Sequence, residues 1–352
     1  MQKISRYLFF IVLFSFFASQ SSFAKENKID LDLKEFIFGH LEDSYEWHIT
    51  NIGDKRISIP LPVILHSKQT GWHLFLSSQF RKNNGTYKGF SIAPKGSNYE
   101  GKIIEYDASG IEIRPLDLSF TKTACSVFIN GILLIVIILS VAHWYKSSNH
   151  VEAPKGFVGF MEMFITALVN DIIKPTIGDN YRKFTPFLLT LFFFILLNNI
   201  MGLIPIFPGG ANVTGNISIT FVLAFCSFIA INVFGSRAYW KGIIWPDVPI
   251  WMKAPPFPIL PIIEFFGIFI KPFALMIRLF ANIFAGHTII LVLSSLIFIT
   301  ATLGFAINAA MAIVSILFSV FMLFLELLVA FIQAYIFTML SSMFIGFAQE
   351  KK

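Results

Sequence analysis

Residues 273–287, FALMIRLFANIFAGH, place an arginine, Arg278, in the middle of an apolar helical segment. Apart from Lys271, which precedes Pro272, no other full charge lies near it. An arginine at the centre of a bilayer costs about 2.5–3.5 kcal/mol on insertion scales. Because such a residue usually faces a partner or a water-filled path, Arg278 is predicted to act on ions or protons.

The composition of the 352-residue chain indicates a membrane protein, with 55% hydrophobic and only 14% charged residues. Soluble domains carry about 25% charged residues, and long apolar runs are typical of membrane spans. The net charge of +6 does not indicate nucleic-acid binding, because Lys and Arg collect on the cytoplasmic loops of membrane proteins. The two cysteines lie in or beside apolar segments, so neither a disulfide nor a metal site is predicted for them, and no cofactor is predicted for the chain.

The first 24 residues have the pattern of a cleavable signal peptide. Lys3 and Arg6 precede an apolar run at residues 7–17, and a small-residue cleavage site ends at Ala24. A retained signal anchor is the alternative, but this run is much shorter than the about 20 residues that a span needs. Cleavage is therefore favoured.

Residues 25–121 are predicted to form a small β-rich domain outside the membrane. Turn signals rich in Gly, Asn and Ser separate short strand-forming runs, which lie at 56–65, 72–76, 102–106 and 111–113. The histidines of this region lack the spacing to cysteines or carboxylates that a metal site requires. The segment offers no catalytic constellation, and after an export signal it is expected to be periplasmic.

Residues 122–352 are predicted to form an all-α, multi-pass membrane domain with about five crossings. The predicted spans are residues 126–144, 185–204, 217–236, 259–300 and 304–347. Between the first two spans, apolar residues recur at helical spacing over 157–172, which is typical of an amphipathic helix on the membrane surface.

The last two apolar segments are too long for upright spans. As helices they would measure about 63–66 Å, whereas the hydrocarbon core is about 30 Å thick. Each is therefore either two spans or one tilted helix. Because neither has a run of turn residues or solvated charges in its middle, we expect two tilted helices forming a hairpin that turns near Leu303 and Gly304.

The placement of Lys and Arg predicts the orientation of the chain. Five crossings from an outside N-terminal domain put residues 145–183, 237–257 and 350–352 inside, and these segments carry the basic residues of the loops. The chain is expected in a bacterial inner membrane, with its N-terminal domain in the periplasm and its C-terminus in the cytoplasm.

Most polar residues of the fourth segment share one stripe. Glu264, Lys271 and Arg278 step by seven, which drifts only about 20° around a helix at each step. Asn282 lies one turn beyond Arg278 on the same face. His287 lies on the opposite face and about 13 Å further along the axis. The helix thus presents a fixed cation on one face and a titratable group on the other.

The fifth segment carries Glu326 and Gln333, seven residues apart on one stripe. Arginine stays charged, whereas buried His and Glu titrate and act as proton relays. His287 and Glu326 are predicted to form such a relay, with a structural ion pair as the alternative. For Asn282 and Gln333 the alternative is a plain helix–helix hydrogen bond. No acid of the chain lies one turn from Arg278, so its carboxylate partner is expected on another subunit.

Five motifs agree, in order, with those of one known family. They are LNNIMGLIP (197–205), TGNISIT (214–220), PILPIIEFFGIFIKP (258–272), RLFANIFAGH (278–287) and LVAFIQAYIFTML (328–340). Over about residues 157–347 the chain resembles subunit a of the F-type ATP synthase. The resemblance implies a terminal hairpin packed against a rotating c-ring, two aqueous half-channels, peripheral-stalk b subunits and the remaining synthase subunits as partners, and ATP synthesis on those partners.

The resemblance also implies roles for single residues. Arg278 resembles the essential stator arginine, while His287 and Glu326 resemble the interacting pair of the outside-facing half-channel. The residues that resemble other polar groups of the path are Asn282 and Gln333, near the arginine, and Glu264, an acid lining the path.

The chain departs from many bacterial members of that family at two places. Those members carry the glutamate and the histidine in exchanged order, whereas this chain has His287 and Glu326, as mitochondrial relatives do. Some also carry an acid at the position of Gly202, so any relay role there is absent or replaced in this chain.

Two other classes of function remain as alternatives. A proton-coupled secondary transporter is the first, but such proteins show internal repeats, and the two halves of this chain share no motif. A membrane-anchored binding protein is the second, but it would leave the ionisable residues of the last two segments without a purpose. Nucleotide chemistry in this chain is not expected, because no GxxxxGK[ST] loop is present.

Overall fold

The computed structural model describes residues 43–52, 55–83, 85–94, 96–107, 110–147, 153–204, 207–245 and 259–349. The predicted signal peptide at residues 1–24 lies outside the described residues, so its cleavage stays a prediction. The basic residues at positions 253, 351 and 352 also lie outside them.

The N-terminal region folds into short antiparallel strands, as predicted. The described strands are β1 (Glu46–Ile52), β2 (Lys55–Pro60), β3 (Pro62–Ser67), β4 (Gly71–Leu76), β5 (Thr86–Tyr87), β6 (Phe90–Ile92), β7 (Ile103–Tyr106), β8 (Glu112–Ile113) and β9 (Leu116–Asp117). They form three sheets with the orders β1-β2, β4-β3-β9 and β5-β6-β7-β8. A short helix, α1 (Ser78–Lys82), follows β4.

Alternating side chains build the core of this region. Along β3 every second residue is buried, including Val63 and Leu65. These two side chains pack in one cluster with Phe80, Phe90 and Ile103. The alternation follows from strand geometry, because successive side chains point to opposite faces of a sheet.

The run at residues 56–65, predicted as one stretch of strand, is two strands. β2 ends at Pro60 and pairs with β1, whereas β3 begins at Pro62 and pairs with β4 and β9. Proline has no N–H to donate to a sheet and is confined to strand ends and edges, so the sequence Pro60-Leu61-Pro62 divides the run.

Helices make up most of the rest of the described chain. They are α2 (Lys122–Ser147), α3 (Gly156–Ala167), α4 (Lys174–Ile177), α5 (Tyr181–Leu203), α6 (Ile217–Val233), α7 (Arg237–Ile244), α8 (Ile259–Thr300) and α9 (Phe305–Gln349). A π-helical turn, Leu168–Ile173, joins α3 to α4. The amphipathic helix predicted at 157–172 corresponds to α3 and this turn, whose buried side includes Met161, Leu168 and Ile172.

Four described helical segments are long and apolar enough to cross a membrane. They are Lys122–Lys146, Gly156–Leu203, Pro261–Leu303 and Phe305–Gln349. A fifth results when α6 and α7, which are bent by 99° at a short break, are counted as one span. The predicted class, an all-α polytopic membrane protein with a β-rich N-terminal region, is confirmed.

The last two segments are continuous helices, with 42 residues in α8 and 45 in α9. A 3-10 turn at Ala301–Leu303 connects them, and Gly304 follows with a φ of 101°. A side chain would be strained at that angle, so glycine suits the turn. The hairpin therefore turns where the sequence predicts, and each arm is one helix rather than two spans.

The helix α5 lies at the centre of the membrane domain. Its Leu188, Phe192 and Ile195 are fully buried, and they pack in one cluster with Leu279 of α8 and Phe337 of α9. The hairpin is thus fixed against α5 by apolar contacts, and this packing positions the polar residues of α8 and α9.

Small and hydroxyl-bearing residues of α9 make close contacts with its neighbours. Ser341 lies 3.2 Å from Ser227 of α6, oxygen to oxygen, and Ser342 hydrogen bonds with Thr176 of α4. A Cβ placed on Gly346 would lie 2.1 Å from the carbonyl oxygen of Thr176. Such small residues let helices approach closely inside a membrane protein.

Candidate functional site

Arg278 lies on the outer surface of the hairpin. The exposed stripe of α8 around it includes Ala274, Arg278, Ala281, Asn282 and Ala285. Among the described residues, the guanidinium of Arg278 has neither an ion-pair nor a hydrogen-bond partner. The neighbouring alanines leave room for another helix to approach closely. A permanent cation thus stands on an apolar surface that a partner can reach.

One turn beyond Arg278, Asn282 connects the two arms of the hairpin. Its Nδ2 donates a hydrogen bond of 2.9 Å to Oε1 of Gln333. Gln333 is buried, whereas Asn282 is exposed on the stripe of Arg278. The sequence placed these residues on separate stripes of two segments, and the structure brings them together beside the arginine.

His287 and Glu326 meet inside the hairpin. His287 Nδ1 and Glu326 Oε1 are in direct hydrogen-bonding contact. The two side chains are 15% and 2% exposed, respectively, so the pair is largely shielded from the surroundings. The imidazole and the carboxylate are thus held against each other inside the hairpin.

Each member of this pair keeps a second polar atom free. His287 Nε2 and Glu326 Oε2 are buried and have no hydrogen-bond partner among the described residues. Most buried polar atoms are paired, so an unpaired atom needs an explanation. The arrangement leaves one polar atom of each side chain available to a further donor or acceptor.

Two glycines leave room for the side chains of His287 and Glu326. A Cβ on Gly286 would lie 2.9 Å from Glu326 Oε1, which is closer than real side-chain contacts. A Cβ on Gly202 would lie 3.4 Å both from His287 Nε2 and from the carbonyl oxygen of Ala211. The end of α5 and the loop after it therefore form the wall beside the imidazole.

The structure does not bring Glu264 to this pair. Glu264 is exposed on α8 and lies about 21 Å along the helix axis from Arg278. Lys271, midway between them, has its ammonium group 5.6 Å from the ring centre of Phe344. The stripe predicted from the spacing of seven thus runs along the helix, with its members far apart.

A buried polar cluster beside the site was not predicted from the sequence. Asn130 of α2 donates through Nδ2 to Asn198 Oδ1 at 2.9 Å, and Thr214 donates to Asn199 Oδ1 at 2.6 Å. Asn199 in turn donates to the carbonyl oxygen of Ala330 at 3.4 Å. Adjacent asparagines within an apolar run were a signal that could have identified this cluster, because buried amides in a membrane need partners.

This cluster leads toward the His287–Glu326 pair. Asn198 and Asn199 lie one turn before Gly202, which adjoins the imidazole. Ala330, which accepts from Asn199, lies one turn after Glu326 on α9. Polar groups therefore extend from α2 through α5 to the buried pair.

The fold and the site define a class: a polytopic membrane protein with a titratable pair enclosed in a helical hairpin and an arginine exposed on the surface of that hairpin. The family model described as ATP synthase A chain matches residues 125–346. The chain belongs to this family.

Individual relatives agree with this assignment. The chain is 40% identical to ATP synthase subunit a of Chloroherpeton thalassium over 238 residues, covering 68% of this chain and 69% of the relative. It is 40% identical to ATP synthase subunit a of Chlorobium phaeobacteroides over 266 residues, covering 74% and 71%. It is 37% identical to ATP synthase subunit a of Anaeromyxobacter dehalogenans over 259 residues, covering 71% and 63%.

A second family model, a domain of unknown function (DUF8433), matches residues 36–118. This match falls on the β-rich region and ends before the ATP synthase A chain match begins. The N-terminal region is thus a separate module joined to the membrane domain.

Proposed function

We propose that this chain, the proton-translocating stator subunit of an F-type ATP synthase, moves protons along a path that includes Arg278, His287 and Glu326. The observation that carries this proposal is the separation of charges in the hairpin. A fixed cation is exposed on the outer surface, and a titratable pair is enclosed about 13 Å further along α8. The arginine and the His287–Glu326 pair can therefore act at two different steps of proton transfer.

Arg278 acts on a carboxylate of the rotating c-ring. A guanidinium keeps its charge at any physiological pH, so it attracts a deprotonated carboxylate and repels a proton. In low-dielectric surroundings both effects are stronger than in water. Arg278 therefore releases ring carboxylates from their resting state and prevents protons from passing directly between the two half-channels.

His287 and Glu326 load and unload those carboxylates from one half-channel. Their mutual contact and their free Nε2 and Oε2 atoms allow a proton to enter at one group and leave from the other. Asn282 and Gln333, held together by their hydrogen bond, orient the polar surface next to Arg278. Glu264, far from the pair on α8, belongs to the other half-channel.

The proposed assembly follows from this path. The exposed stripe of α8 faces the c-ring, while peripheral-stalk b subunits and the remaining synthase subunits hold the chain in place. Nucleotide chemistry occurs on those subunits, so this chain is a non-catalytic channel subunit. The N-terminal domain lies in the periplasm, and the C-terminus lies in the cytoplasm.

The test of this function is the substitution Arg278→Ala. We expect ATP-driven proton pumping in inverted vesicles to fall by about 100-fold or more, as when a preorganised charge is removed from a reacting site. Arg278→Lys should also fail, because a desolvated lysine can lose its proton and lacks the planar fork.

The matched control is Lys271→Ala, which removes a cation from the same helix and should leave pumping close to wild type. Immunoblotting of the membranes shows whether each complex assembles. Near-normal coupled pumping by an assembled Arg278→Ala complex would reject the proposed role of Arg278 and the proton path built on it.

A further inference from the structure

We propose that Trp47 of the N-terminal domain is a positioning residue for proton translocation: it holds the loop of residues 207–216 against His287. This inference rests on the proposed function, because the loop can affect proton translocation only if His287 lies on the proton path. It assigns a role to the β-rich module. That module contains none of the motifs of the membrane domain and none of the residues of the proposed proton path.

Trp47 connects the two modules of the chain. It lies on β1, is only 3% exposed, and packs with Ala211 and Val213 of the 207–216 loop. Its ring also meets that of Phe207, with centroids 5.0 Å apart and planes at 73°. A tryptophan of a polar, sheet-forming region is thus buried against a loop of the membrane domain.

The loop also approaches the site, at Gly202. The carbonyl oxygen of Ala211 and Nε2 of His287 each lie 3.4 Å from the position that a Cβ on Gly202 would take. Ala211 therefore lies in one buried cluster with Trp47, and its carbonyl oxygen and the imidazole both lie next to Gly202. A displacement of Ala211 changes the space around the free nitrogen of His287.

The loop is held closely at both ends of this contact. Gly210 N donates to the carbonyl oxygen of Met201 at 3.0 Å, and Val213 N donates to that of Ala211 at 2.9 Å. Thr214 is anchored through Asn199. Trp47 packs on the apolar side of the loop between these anchors.

The N-terminal domain is in turn fixed over the start of α2. Thr123 N donates to Asp43 Oδ1 at 2.9 Å, and Lys122 N donates to the carbonyl oxygen of Ser44 at 2.8 Å. These bonds lie close to Trp47 in sequence and hold β1 in place. The domain therefore acts as a rigid support rather than a tethered module.

The experiment measures passive proton flux through the membrane sector of vesicles from which the catalytic subunits have been removed. Trp47→Ala is expected to lower this flux by about threefold or more, since small displacements near a reacting group have effects of this size or larger. The midpoint of its dependence on pH should shift when pH is varied on the side that carries the N-terminal domain. It should stay unchanged when pH is varied on the other side.

Two matched variants complete the design. Trp47→Phe keeps a ring in the contact and should recover most of the flux and the original midpoint. Trp72→Ala, at a tryptophan of the same domain that is 63% exposed and outside the loop contact, should match wild type. Where Trp47→Ala lowers the amount of assembled complex, Phe207→Ala tests the same contact from the loop side.

The outcomes separate this inference from the function on which it rests. Wild-type flux and midpoint in assembled Trp47→Ala and Phe207→Ala complexes would overturn the inference. Equal shifts on both sides of the membrane would overturn it as well, because they indicate a general loss of structure. If His287→Ala has normal flux, the proposed function itself fails. If His287→Ala abolishes flux and Trp47→Ala does not change it, the inference alone fails.

Discussion

At the scale of single residues, the His287–Glu326 pair explains why two titratable groups are tolerated in an apolar hairpin. Removing one partner of a buried pair leaves an uncompensated polar or charged group, which costs about 3–5 kcal/mol. Exchanging the two residues keeps both groups and their contact. The histidine and the glutamate can therefore exchange positions, provided that the space around Gly286 and Gly202 accepts the new side chains.

We predict that the exchange variant, His287→Glu with Glu326→His, retains more proton pumping than either His287→Ala or Glu326→Ala. The physical reason is that only the exchange preserves a titratable contact across the hairpin. ATP-driven pumping in inverted vesicles, corrected for the amount of complex, measures the effect. Losses that simply add in the double alanine variant would contradict the coupling, because residues in contact show non-additive effects. Thr288→Ala, next to the pair, serves as the control.

At the scale of elements, close helix packing holds the hairpin against the rest of the domain. The end of α9 meets α4 through Gly346 and Ser342, and apolar side chains of α5 pack in one cluster with side chains of both arms. Because lipid tails are as apolar as the helices, this association depends on close packing and on hydrogen bonds between helices. Small residues are therefore placed where two backbones approach.

We predict that Gly346→Ala destabilises the membrane domain. Its new Cβ would lie 2.1 Å from the carbonyl oxygen of Thr176, and overpacking of this kind costs about 1–3 kcal/mol. A lower Tm of the detergent-purified protein is the expected result. The matched control is Gly131→Ala in α2, where a Cβ would meet nothing within 4 Å. A Tm of Gly346→Ala equal to that of the control would contradict the packing described for α9.

At the scale of the whole molecule, the β-rich domain and the loops at the other ends of the helices should lie on opposite sides of the membrane. Lys88 of the domain is exposed, as is Arg182 at the start of α5. We predict that a membrane-impermeant maleimide labels Lys88→Cys in right-side-out vesicles and Arg182→Cys in inverted vesicles. The background for both variants lacks Cys125 and Cys226. Labelling of both positions from one side would contradict the orientation.

A second prediction at this scale concerns processing of the chain. The mature protein is expected to begin near Lys25, because the preceding segment has the pattern of a cleaved signal peptide. N-terminal sequencing of the purified protein measures this directly. An intact Met1 would show that the segment is retained.

Much of the fold could be predicted because its signals are local. The lengths of apolar runs determined the helices, and Gly304 at the end of the first long run marked the turn of the hairpin. Strand boundaries were less certain, since the run at 56–65 was divided by Pro60 and Pro62 and by a change of pairing partner. The seven-residue spacing of Glu264, Lys271 and Arg278 correctly predicted that they share one face of the helix. It did not predict which residues of another helix they contact.

The sequence by itself determined the class of this protein, its ionisable residues and their faces, because hydrophobic length and helical periodicity depend only on neighbouring positions. The tertiary structure decided which of these residues meet. His287 contacts Glu326 across 39 positions, Asn130 contacts Asn198 across 68, and Trp47 packs on Ala211 from another module. Such contacts are set by how whole elements pack, since close packing between helices and the hydrogen bonds across them bring together polar groups that are distant in sequence.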